Sequence, residues 1–106
     1  MAADLQTVEK IINEYVADVK KAMPIDKAAL YGSYAKGTAT EYSDVDICFF
    51  SDAFASKRSV DIVTDLLGIA GNYRDVCIES RAFPTPEINS DNPFIREVLR
   101  TGCEII

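Results

Sequence analysis

The sequence predicts an α/β domain, a small mixed β-sheet flanked by helices, on three observations. Two long segments repeat apolar residues at helical steps, while three short segments are apolar and β-branched or alternating. The two kinds interleave along the chain with no internal repeat and no linker-like tract between them. A length of 106 residues suits one domain, 1–106, and leaves no room for a second core of ordinary size.

Each element has its own local reason. Leu5, Val8, Ile12, Tyr15, Val19 and Met23 recur at steps of three and four with Ile11 and Val16 beside them, an amphipathic helix that Pro24 ends. "KAALYG" reads as a short buried strand bounded by Gly32, "SYAKG" as a turn opening into a brief helix, and "VDICFF" as a second strand. From Ser56 to about Asn72 a second amphipathic helix is expected. Its apolar face is Val60, Val63, Leu67 and Ala70 with Ile62, Leu66 and Ile69 adjoining; Gly68 is tolerated, and Gly71 and Asn72 stop it. "RDVCIES" is expected to form the third strand and "FPTPEINSDN" a loop. Asn92 then caps a helix with Pro93 at its first position and Phe94, Ile95, Val98 and Leu99 on its apolar face, Gly102 stops it, and "CEII" can add a short terminal strand.

Composition narrows the chemistry. With 48% hydrophobic residues and both charge signs present, the chain is globular in type. "MAADLQTVEK" has no basic segment leading into an apolar core and no stretch approaches a membrane span, so a cytoplasmic chain without membrane contact is expected. Cys48, Cys77 and Cys103 are odd in number, far apart and set in apolar runs, which suggests buried free thiols rather than disulfides. A net charge of −6 and the lack of a basic stripe argue against nucleic acid as a partner. The chain has no histidine, which removes Ser-His-Asp and Cys-His catalysis and histidine-ligated zinc together. Carboxylates, hydroxyls, lysine and arginine remain.

Strand parity then singles out acids, because side chains two apart share a face of a sheet. Asp44, Asp46 and Cys48 share one face; on the third strand Asp75, Cys77 and Glu79 share another, with Val76 and Ile78 turned to the core. If these strands are neighbours, Asp44, Asp46 and Asp75 converge. Three crowded carboxylates repel one another unless a cation sits between them, and hard oxygen ligands suit Mg²⁺ or Mn²⁺. Gly32 permits a close backbone approach, the amides opening the brief helix after it are anion donors, and Ser33 adds a hydroxyl. A metal clamp beside a phosphate cradle is the minimum equipment of phosphoryl or nucleotidyl transfer. The ordinary alternatives are a plain turn at Gly32-Ser33, a helix stop at Gly37, a cap or solvated strand entry at "SDVD" and an edge pair between Asp75 and Arg74 or Arg81. Glu79 reads as a surface acid, Lys36 as a solvated lysine, and Tyr31, Tyr34 and Tyr42 as packing residues.

Gly32-Ser33, ten intervening residues and then Asp44-Val45-Asp46 resemble the signature of the minimal nucleotidyltransferases of the DNA polymerase beta-like superfamily, and "RDVCIES" is similar to that superfamily's later strand. The resemblance covers about residues 28 to 80. It implies the nucleotidyltransferase fold, two divalent ions, and transfer of a nucleotidyl group, AMP from ATP being favoured, to a hydroxyl with release of pyrophosphate. By position it places Gly32 and Ser33 on the triphosphate, Asp44 and Asp46 on both ions, and Asp75 on the catalytic ion, where it activates the acceptor; Glu79 competes with Asp75 for that third place. A chain this short has little length left for the walls of a nucleotide and acceptor pocket, so a partner or self-association should complete it. In the family it resembles, such short proteins pair with a small all-helical protein, some as the antitoxin of a two-protein pair. The alternative is a non-catalytic module that keeps the fold and regulates a helical partner by binding.

Overall fold

The computed structural model of the chain describes residues 5–40 and 43–106; Tyr42, read above as a packing residue, and the side chain of Leu5 lie outside the described part. The order is α1 (Leu5–Ala22), β1 (Lys27–Tyr31), α2 (Ser33–Lys36), β2 (Val45–Phe50), α3 (Ser59–Ala70), β3 (Ile78–Phe83), α4 (Pro93–Thr101) and β4 (Cys103–Glu104). The expected α/β architecture is present as a four-stranded mixed sheet in the order β3-β2-β1-β4. β1 is antiparallel to β2 and β4, while β2 and β3 run parallel.

β2 alternates between two cores. Val45, Ile47 and Phe49 join Ala28 and Ile78 under α1 and α3, where Val8, Tyr15, Val16, Val19, Ile62 and Leu66 are buried. Cys48 and Phe50 turn the other way with Ala29 and meet Ile95 and Val98 of α4. The cap expected at Asn92 forms: its side-chain oxygen accepts from the Phe94 amide at 2.9 Å, and Pro93 needs no amide partner. At the other end of α4 a side chain at Gly102 would collide with the Val98 and Leu30 carbonyl oxygens, so the return of the chain into β4 beside β1 requires glycine.

Four expectations are corrected. The second helix begins at Ser59 rather than Ser56, because Asp52–Ser56 form a 3-10 turn capped by the Ser51 hydroxyl, which accepts from the Ala53 amide at 3.2 Å. Its buried face is Ile62 and Leu66 with Ile69 against them; Val60, Val63 and Leu67, expected inward, are exposed. The third strand starts at Ile78 rather than Arg74, so Asp75 lies on a bend ahead of it. Finally, only Cys48 is a buried thiol, while Cys77 and Cys103 are exposed. No helix among the described residues is long and apolar enough to cross a membrane.

One polar bond ties the helical layer to the sheet. Tyr15 of α1 is fully buried, its ring edge-on to Phe49, and its hydroxyl meets the Ser80 hydroxyl of β3 at 2.6 Å and the Leu66 carbonyl at 3.4 Å. Burial raises the phenol above its ordinary pKa. Tyr15→Phe keeps the ring but leaves Ser80 without that bond, so it should cost about 1 kcal/mol, or roughly 5 °C in thermal midpoint. Ser80→Ala in that background should cost less than Ser80→Ala alone, a coupling that a double-mutant cycle of thermal unfolding measures directly.

Candidate active site

Gly32 follows β1 immediately and adopts φ +75°, a conformation open to glycine at little cost. The reason is spatial as well as conformational: an added Cβ there would run into the carboxylate of Asp46. The missing side chain is therefore the space in which that carboxylate stands. α2 opens at the next residue, Ser33, and Gly37 ends it in the left-handed conformation, its amide donating to the Ser33 carbonyl.

Asp46 is the second residue of β2, flanked by Tyr31 of β1 on one side and Glu79 of β3 on the other in the strand register. Adjacent strands lie about 4.8 Å apart, so the two carboxylates share a face at neighbouring positions. The next residues on that face are Cys48 and Arg81, again register partners. Asp44 sits one residue ahead of β2, half buried. The Val45 amide donates to the Cys77 carbonyl at 2.8 Å, and the Cys77 thiol lies against the Asp44 carboxylate.

The electrostatics follow from the crowding. Asp46 is pushed up to about 6, first by desolvation, then by the charge of Glu79 and a hydrogen bond with it that favours the protonated acid, then by Asp44; Arg81 opposes them. Burial raises Tyr31, and the Asp46 charge adds to that, while a hydrogen bond with Arg81 works against both. Arg81 also lies over the Phe94 ring, 4.9 Å from its centre, which aims the guanidinium along this face. The Cys77 thiol is raised by burial and by its bond to Asp44.

The structure thus brings together Gly32, Asp46 and Asp44 from the expected set, with Ser33 at the rim. It does not bring in Asp75, which is exposed and four residues before Glu79, beyond the end of the ladder. Nor does Asp75 figure among the charges acting on Asp46. Glu79, expected as a surface acid, is exposed as expected but stands directly beside Asp46. Parity alone could not separate Asp75 from Glu79, since both fall on one face; the parallel register sets Glu79, not Asp75, beside Asp46. Arg81 and Tyr31 carried no signal of their own in the sequence. Among the described residues no three or more His, Cys, Asp or Glu side chains are gathered closely enough to cage a metal by themselves.

A family model described as a nucleotidyltransferase domain matches residues 8–100. Two proteins of Methanocaldococcus jannaschii, each carrying the provisional name protein adenylyltransferase, are similar. One is 32% identical over 112 aligned positions covering 97% of this chain and 74% of the relative. The other is 36% identical over 96 positions covering 89% and 93%. Among solved structures, a provisionally assigned nucleotidyltransferase of Sulfolobus solfataricus superposes with a TM-score of 0.55 over 74% of this chain and 68% of its own, at 22% identity, a likeness of fold. With most of its length under that family model and relatives above 30% identity, the chain belongs to the nucleotidyltransferase domain family.

Proposed function

We propose that this chain is a divalent-cation-dependent adenylyltransferase that moves AMP from ATP to a hydroxyl, with Asp46 and Glu79 as the acids at the reacting centre. The observation that carries this reading is the register pair Asp46–Glu79 set against the space left by Gly32. The provisional names of the two relatives favour a hydroxyl on a protein as acceptor.

The donor set fits Mg²⁺ or Mn²⁺. Mg²⁺ keeps several waters and is commonly held by one or two carboxylates together with substrate phosphates, so a cage of three protein ligands is not required before ATP arrives. Asp46 and Glu79 supply two hard oxygen donors side by side, and Asp44, released from the Cys77 thiol, supplies a third. Desolvation and the charges of Glu79 and Asp44 raise the Asp46 pKa to about 6, a crowding that a bound cation would relieve. When bound, the cations would neutralise charge on the triphosphate and on the departing pyrophosphate.

Gly32 and Ser33 border the triphosphate in this reading, Ser33 through its hydroxyl. The acceptor oxygen attacks the α-phosphorus, the bond from that phosphorus to the oxygen bridging to the β-phosphate breaks, and pyrophosphate leaves with the bonding pair. Glu79 takes the acceptor's proton, since it is the exposed acid of the pair and faces incoming groups. Asp75 is the competing assignment for that role. Its distance along the chain from Glu79, about 13 Å if extended, separates the two experimentally. A small helical protein as partner and acceptor, including an antitoxin pairing, extends the same reading.

Two outcomes test it. In transfer of labelled AMP to a copurifying protein, Glu79→Gln should lower the rate about a hundredfold or more, the usual loss of a general base, while Asp75→Ala should cost less than about tenfold. The reverse ranking would return the third acid to Asp75.

The second outcome concerns stability. Because the Asp46 pKa is raised from its ordinary 3.8 to about 6, the folded state takes up a proton; stability from this group is full below about pH 4 and is lost as pH rises through 6. Without metal, Asp46→Asn should therefore melt higher than the wild type at pH 7.5, with the gap closing towards pH 4. Millimolar Mn²⁺ should raise the wild-type midpoint at pH 7.5 and leave that of Asp46→Asn nearly unmoved, as scanning calorimetry would read.

A further inference from the structure

We infer that the outer edge of β3, with the apolar stripe of α3 beside it, is the interface for a second copy of this chain, the two β3 strands pairing antiparallel about a two-fold axis at Ser80. β3 is the terminal strand of the sheet. The Cys77 and Phe83 carbonyls accept from the Val45 and Ser51 amides at 2.8 and 3.1 Å, so the odd-numbered residues of this strand turn their backbone groups inward to β2. Ile78, Ser80 and Ala82 consequently turn theirs outward. A six-residue edge with no proline and no further strand against it among the described residues is a template for another strand.

The helix beside that edge is also uncovered. Val60, Val63 and Leu67 of α3 are 55%, 45% and 63% exposed, and Val63 and Leu67 form one wall of a groove of about 440 Å³ whose other wall is Ile78–Phe83. Backbone amides that need partners and apolar side chains that need cover thus lie side by side. A strand arriving with a helix behind it satisfies both, and a second copy of this chain brings that pair of elements.

Charge selects the register. Two outward-facing strands can pair antiparallel about a two-fold only where outward residues meet outward residues. Centred on Ser80, Ile78 meets Ala82 of the other copy and Glu79 stands opposite Arg81, twice over, in the close non-hydrogen-bonded positions where side chains interact most. Centred on residue 79 or on residue 81, the same pairing sets Glu79 against Glu79 or Arg81 against Arg81. Within the chain Glu79 is hydrogen-bonded to Asp46, and Arg81 bonds Tyr31 and lies over Phe94, yet among the described residues neither forms an ion pair. A guanidinium on one oxygen of Glu79 leaves the other oxygen beside Asp46 for a cation or an acceptor's proton, so the interface and the acidic pair are compatible. The two-fold also lays α3 beside its copy and covers Val63 and Leu67 across the seam.

Sedimentation equilibrium of the wild-type chain through the micromolar range tests the proposal, the expected species having twice the 11.7 kDa chain mass. Arg81→Glu, which makes both cross-strand pairs repulsive, should raise the dimer dissociation constant about tenfold or more. The exchange Glu79→Arg with Arg81→Glu should restore it. Leu67→Glu, at an exposed position of α3, should weaken the dimer comparably, with circular dichroism confirming that each variant keeps its fold. A chain that is monomeric throughout, even if it captures a helical protein, overturns the proposal. So does a dimer indifferent to Arg81→Glu and Leu67→Glu, or an exchange variant that stays monomeric.

Discussion

β2 is hydrogen-bonded along both edges and covered on both faces, so its six residues have no freedom to slip. A shift by one position would drive Val45, Ile47 and Phe49 out of the core under α1 and α3 and put Asp46 into it. The same alternation that buries three apolar side chains therefore aims Asp46 at the opposite face, and the parallel ladder to β3 then sets Glu79 beside it. Site geometry here is a by-product of core packing. Positions on a strand held this way are more exact than positions on a loop, which suits chemistry that consists mainly of holding phosphates in place.

That placement has an electrostatic cost. Asp46 is desolvated by its central position and pushed up to about 6, whereas Glu79, on the terminal strand, remains exposed. Gly32 serves the same end by withholding a side chain where Asp46 stands. Two residues, Gly32 from the turn after β1 and Glu79 from β3, are thus fitted around one carboxylate, and neither fit is needed for hydrophobic burial.

Much of this was legible in the sequence. Periodicity found α1 and the alternation in "VDICFF", the cap at Asn92 and the stop at Gly102 bounded α4, and the spacing from Gly32 to Asp44 and Asp46 picked out residues that the structure sets close together. What failed had physical causes. The third strand was placed too early because Val76 and Ile78 alternate as a strand should, but the ladder can begin only where β2 offers partners, at Val45, and so starts at Ile78. Ser80 and Arg81 made the true strand look polar, although Ser80 is satisfied by Tyr15 and Arg81 lies over Phe94. That Glu79 rather than Asp75 stands beside Asp46 needed register, a property of two segments that neither contains alone.

The inward face of α3 was misjudged for a different reason, and it bears on how such a small chain works. An apolar helix with residues all round gives periodicity little to act on, and both Val60-Val63-Leu67 and Ile62-Leu66-Ile69 are plausible faces. Only one can meet the sheet, and the loser stays apolar in water, at a cost in solubility that a solvated helix face does not carry. In a chain with so little interior, six large aliphatic positions on one short helix exceed what its own core can take up. The excess stripe lies beside the open edge of the sheet at β3, the strand that carries Glu79. Any protein that covers the stripe is therefore brought within reach of the acidic pair, which couples completion of the surface to the surroundings of Asp46 and Glu79.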